Sequence, residues 1–172
     1  MAWLKQQEKE SYDHDNIVLF DMDGTLTPPR QAFDLSLLPA LRELSSVATI
    51  GIVSGSDYDY ILEQMNYLVR KSELVYNLHL LPCNGTKWYQ PPVDNVSSYE
   101  LTHEINMIDA LGQKVYKKLV TVLLELQCMI AESNLNIPLT GEFIQYRGSM
   151  INWCPIGSIR RREESSIISR GS

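Results

Sequence analysis

The 172 residues include only three cysteines, Cys83, Cys128 and Cys154, and no C-x-x-C pair. A disulfide framework and a structural zinc site are therefore not expected, and reduced thiols in the core are. Basic residues are also short: 15 Lys and Arg stand against 21 Asp and Glu, a net charge of −6. That balance argues against nucleic acid as a partner. No stretch approaches the roughly 18–20 apolar residues of a membrane span, so no membrane partner is expected. The opening residues Met1 to Glu10 carry charges without an apolar run behind them, which is not the pattern of a secretory signal. A soluble, cytoplasmic protein is the expectation. Internal repeats are absent. With 44% hydrophobic residues, the chain can bury one good core, or one domain and a smaller companion.

What is present centres on Ile17-Val18-Leu19-Phe20-Asp21-Met22-Asp23-Gly24-Thr25-Leu26-Thr27. Four apolar residues in a row read as a buried strand. Asp-x-Asp-Gly-Thr then falls at the carboxyl end of that strand, where open α/β sheets bind ligands. Two carboxylates at such a point suit Mg²⁺, and one of them can attack a phosphoryl group. A second acid two residues on can protonate a departing oxygen or activate an incoming one. Gly24 and Thr25 can offer backbone N–H groups to phosphate oxygens.

Downstream, Asp34 is a candidate N-cap for a helix carrying Leu35, Leu38, Leu41 and Leu44. Thr49–Val53 reads as a second buried strand, followed by the small-residue loop Ser54-Gly55-Ser56-Asp57. Ser54, Gly55 and Ser56 are candidates for holding a transferring phosphoryl group. Ser56 with Asp59 also resembles a capping box, so its role stays open between phosphate contact and helix cap. A third strand is expected over Leu74–Leu81, ending at Pro82-Cys83-Asn84-Gly85. Alternation of strand and helix to this point predicts a parallel sheet with right-handed crossovers. After Gly85 the rhythm changes: a helical pattern runs from about Glu104 to Glu132 with a break near Leu111-Gly112. Val115, Leu119, Val122, Leu123, Leu126 and Ile130 form its apolar stripe. Glycine 148 and Ser149 then divide two strand-like runs, 141–147 and 150–155, as in a hairpin. Three parts are expected: 1–86, an α+β part over 87–157, and a polar tail over 158–172.

Four blocks in order resemble the eukaryotic-type phosphomannomutases of the haloacid dehalogenase superfamily. They are Leu19 to Gln31, with Thr27-Pro28-Pro29-Arg30-Gln31 after the aspartates; Gly51 to Asp57; Asn84-Gly85, where that family passes into its cap; and 141–147 with 150–157. The resemblance implies an α/β, Rossmann-like partial core with an α+β cap. It implies a phosphomannomutase, an isomerase interconverting mannose 6-phosphate and mannose 1-phosphate for GDP-mannose synthesis. Its partners would be mannose phosphate and a sugar bisphosphate. Asp21 would be the nucleophile and Asp23 the general acid/base, both near Mg²⁺, with Arg30 and Arg147 holding substrate phosphate. Pairing of two caps into a homodimer is implied as well.

The chain departs from that pattern after Gly157, where Ser158 and Ser165 stand at positions of family arginines; Arg160, Arg161 and Arg162 lie nearby. The family's lysine and Gly-Asp…Asp loop, which complete the metal site, have no counterpart: no Gly-Asp follows residue 88. The expectation is a truncated relative whose first strand is an unpaired apolar edge. Two other readings stay open: a sugar-phosphate phosphatase of the same superfamily, and a non-catalytic chain that pairs through its cap.

Overall fold

The computed structural model describes residues 15–28, 31–133 and 135–158. Arg30, Arg160, Arg161, Arg162, the lead-in and most of the tail lie outside them. The chain forms two compact units, divided between Glu104 and Ile105.

In the first unit, Ile17–Asp21 (β1), Thr49–Val53 (β2) and Leu78–Leu81 (β3) run parallel. The predicted third strand is shorter than its apolar run, because Glu73–Asn77 forms a 3-10 turn first. Lys87–Gln90 (β4) and Glu100–Glu104 (β5) then add antiparallel, giving the order β1-β2-β3-β4-β5. The change of rhythm expected at Gly85 is thus a change from parallel to antiparallel pairing, and the division into units falls later. Tyr89 of β4 explains why: its ring stacks on Tyr58 with centroids 4.1 Å apart. A Lys87–Glu104 ion pair at 2.8 Å joins β4 to β5.

Helices cover one face of this sheet. Leu38–Ser45 (α1), Tyr58–Gln64 (α2) and Asn66–Arg70 (α3) bring Leu38, Leu41, Ile61, Met65 and Leu68 onto Ile50, Ile52, Leu78 and Leu80. A 3-10 turn at Leu35–Leu37, capped by Asp34, leads into α1. Among the described residues β1 lies at the edge of the sheet, as the resemblance implied, and it is not buried on both faces. Every second residue shows it: Phe20 packs on the core, while Ile17 and Leu19 point the other way and stay 66% and 56% exposed.

The second unit holds Met107–Leu111 (α4), Gln113–Ala131 (α5), and the antiparallel pair Glu142–Tyr146 (β6) and Ile151–Ser158 (β7). Gly112, at φ +75°, makes the break between the helices that the sequence signals. Gln127 ties α5 to β7: its Oε1 accepts from Trp153 Nε1 and its Nε2 donates to the Pro155 carbonyl, both at 3.0 Å. Gly157 is a close approach, since a β-carbon there would lie 1.6 Å from the Thr140 carbonyl oxygen. The expected stripe of α5 is split. Leu119, Leu123 and Ile130 are half-buried, whereas Val115, Val122 and Leu126 face solvent. Of the thiols expected in a core, Cys83 is buried but Cys128 is exposed.

Candidate active site

Asp21 ends β1 in register with Val53, the last residue of β2. Parallel pairing therefore carries the Asp21 loop and the Ser54 loop to the same edge of the sheet. Met22 is fully buried, and its carbonyl is the hub of the first loop. It accepts from the N–H groups of Leu26 at 3.1 Å and Thr27 at 3.0 Å, and from the Thr27 hydroxyl at 3.3 Å. With Met22 and Leu26 sunk into the core, the residues between them are left outside. Asp21, Gly24 and Thr25 are exposed and Asp23 is half-buried. Gly24 sits at φ +87°, and its N–H donates to the Thr27 carbonyl at 2.7 Å. The Gly24 and Thr25 N–H groups expected for phosphate thus make bonds inside the loop in this structure, Thr25 to the Met22 carbonyl at 3.4 Å.

The second loop is tied to the third strand. Ser54 N–H donates to the Leu81 carbonyl at 3.2 Å; Asn84 and Cys83 return N–H groups to the Ser54 and Ser56 carbonyls at 2.8 and 2.9 Å. Cys83 and Asn84 make this reach only by taking positive φ, 54° and 59°, a conformation that costs a side-chain-bearing residue free energy. Ser54 is buried, and its Oγ accepts from Ser56 N–H at 3.1 Å. The helix cap is neither Ser56 nor Asp59. Asp57 is the N-cap of α2, and its Oδ1 accepts from Tyr60 N–H at 3.0 Å. Ser56 is thereby freed from capping. Sequence reading also missed Tyr60, whose hydroxyl donates to Asp23 Oδ1 at 3.5 Å; helical spacing marks only the apolar positions around it.

Arg147 lies in the second unit, between β6 and β7. Its Nε and Nη2 donate to Gln145 Oε1 at 3.1 and 2.9 Å, and its backbone N–H bonds the Met150 carbonyl at 2.9 Å. A cavity of about 380 Å³ in the first unit is lined by Tyr58, Leu62, Arg70, Tyr76 and Tyr99, and by none of the aspartate-loop residues.

Among the described residues, no three His, Cys, Asp or Glu side chains group together. Asp21 and Asp23 are nonetheless the right donors for Mg²⁺, which takes oxygen ligands and binds through one or two carboxylates, keeping waters and substrate phosphate in its remaining positions. The pair fits that ion as one side of its shell.

A family model described as eukaryotic phosphomannomutase matches residues 37–170. Among curated proteins, the chain is similar to a phosphomannomutase of Dendrobium officinale, 36% identical over 149 residues, covering 86% of this chain and 53% of that protein. It is similar to a phosphomannomutase of Schizosaccharomyces pombe, 33% identical over 156 residues, 90% and 55% covered. With human phosphomannomutase 1 the identity is 32% over 152 residues, 86% and 52% covered. The chain spans about half the length of these relatives. Among solved structures, IMP-bound Plasmodium falciparum IMP-nucleotidase aligns over 94% of this chain and 47% of that one, with a TM-score of 0.51 at 15% identity. That likeness bears on the fold alone, and it agrees with a Rossmann-like α/β sheet.

Proposed function

The chain belongs to the eukaryotic phosphomannomutase family, and from that premise we propose that its aspartate loop serves the interconversion of mannose 6-phosphate and mannose 1-phosphate. The observation that supports this reading is the register of Asp21 with Val53, which brings two carboxylates and the Ser54 hydroxyl to one sheet edge. An Asp21 carboxylate oxygen attacks phosphorus of a sugar bisphosphate and forms an aspartyl-phosphate, while the bond from phosphorus to the sugar oxygen breaks. Asp23 gives its proton to that departing oxygen. In the return half-reaction, Asp23 takes a proton from the sugar hydroxyl that receives the phosphoryl group. Ser54, Gly55 and Ser56, with Gly24 and Thr25, hold the phosphoryl oxygens. Arg30 and Arg147 hold the second, non-reacting phosphate, a task suited to the guanidinium fork. Asp21 and Asp23 would hold Mg²⁺, which would supply neutralisation of charge on the phosphoryl oxygens.

Mannose 1-phosphate from such a reaction feeds GDP-mannose synthesis. Three cysteines with no paired spacing suit the reducing cytoplasm. A homodimer fits the exposed α5 stripe of Val115, Val122, Leu126 and Met129, whose spacing of three, four and seven residues aligns them along one helix face.

The test is phosphorus NMR of the chain with mannose 1-phosphate, a sugar bisphosphate activator and Mg²⁺. Appearance of mannose 6-phosphate that is lost in Asp21→Asn supports the mutase. Release of inorganic phosphate instead supports the phosphatase reading, and absence of both leaves the non-catalytic, cap-pairing reading.

A further inference from the structure

Tyr60 joins the two loops of the site. Its backbone N–H is held by Asp57 Oδ1 at 3.0 Å, at the start of α2 and directly after Ser54-Gly55-Ser56. Its ring packs against the core of the first unit. Backbone and ring are thus fixed from the side of the second loop. The hydroxyl crosses to the first loop and donates to Asp23 Oδ1 at 3.5 Å, in a part-buried contact. A phenol is neutral near pH 7 and carries a donor; an ionised carboxylate only accepts. The contact is longer than the usual O–H···O range, as bonds around a reacting group commonly are before a ligand closes the site. Nothing in the aspartate motif or in the helical spacing demands a phenol at this position, since the core face of α2 is built by Ile61 and Gln64.

We propose that Tyr60 is a positioning residue for Asp23, its hydroxyl holding the carboxylate at Oδ1 from the side of the second loop. The contact itself stands on geometry; its use in proton exchange rests on the function proposed above. Tyr60 also couples the loops, because a displacement of the Ser54 loop moves the first turn of α2 and with it the hydroxyl that holds Asp23.

The experiment uses Tyr60→Phe, which removes one hydroxyl and keeps the ring in the core. Unfolding free energies of the parent chain, Tyr60→Phe, Asp23→Ala and the double variant, measured in metal-free buffer, close a cycle. Loss of the hydroxyl is expected to destabilise the chain more while the Asp23 carboxylate is present than in Asp23→Ala. Strictly additive losses overturn the contact. The kinetic arm reads mannose 1-phosphate isomerisation: Tyr60→Phe is expected to lower kcat about tenfold with KM within about twofold, the split of a group acting in the transition state and not in binding. An active parent with an unchanged kcat in Tyr60→Phe overturns the positioning role. A parent inactive with the bisphosphate and Mg²⁺ present overturns the proposed function instead, and the cycle alone then decides whether Tyr60 holds Asp23.

Discussion

Leu19 closes over Gly51: a β-carbon at Gly51 would come within 2.5 Å of Leu19 Cδ2, and within 3.0 Å of Leu81 Cδ1. The two residues face each other across the β1–β2 pairing. Both contacts are with the far ends of leucine side chains, and Leu19 is more than half exposed. Leu19 can therefore swing toward solvent. Gly51→Ala is expected to change the unfolding free energy by less than about 1 kcal/mol, because relief of glycine's backbone entropy offsets the displacement. A loss above about 2 kcal/mol in urea unfolding would mean that something covers Leu19 and prevents its movement.

Among the described residues no strand pairs with the outer side of β1, and β1 carries no Lys or Pro to discourage pairing there. Leu19→Lys is expected to leave monomer stability within about 0.5 kcal/mol, as for an exposed surface position. It should also shift the sedimentation profile toward smaller species. An unchanged profile would count against β1 as the associating element.

Leu80 on the opposite face is a contrast, being fully buried among Ile52, Ile61 and the rest of the core. Leu80→Ala is expected to cost about 2–5 kcal/mol, the range for a buried leucine that leaves a cavity. Chemical denaturation of the two variants side by side tests the sidedness of the sheet.

Asp57 caps α2, and its loss is expected to cost about 1 kcal/mol. Asp57→Ala should lower activity as well, because the capped turn carries Tyr60 and follows the Ser54 loop directly. Asp57→Asn retains an acceptor and should restore most of the stability. Thermal unfolding of both variants checks the pair.

Burial lowers the His79 imidazole pKa below its ordinary value near 6.5. Trp88 Nε1 donates to His79 Nδ1 at 3.0 Å, a bond that needs Nδ1 unprotonated. Because the unfolded chain binds this proton more readily than the folded one, the contribution of His79 is complete above about pH 6.5. It declines as pH falls from there through the lower folded pKa. Unfolding free energies measured from about pH 7.5 down to 5.5 should fall over this window, and His79→Gln should flatten the slope.

Several parts of the structure could be read from the residues because short-range chemistry decides them. The run Ile17–Phe20 into Asp21, the small-residue loop after Val53, the Gly112 helix break and the Gly148-Ser149 turn all emerge as expected. Local periodicity and the conformational freedom of glycine operate within a few residues, so a linear sequence contains them. The first strand's two exposed apolar residues, the shift of the cap from Ser56 to Asp57, and the addition of β4 and β5 to the first sheet were decided elsewhere. Each depends on which partner a strand or side chain meets across tens of residues: Ile17 and Leu19 on the β1 edge, Tyr89 on Tyr58, Asn84 on Ser54. The same holds for the site. Asp21 and Asp23 are legible as a motif, because their spacing is what the proposed chemistry requires. The Tyr60 hydroxyl beside Asp23 appears only once β1 and β2 pair in register and α2 is capped, since the two residues lie 37 positions apart in the chain.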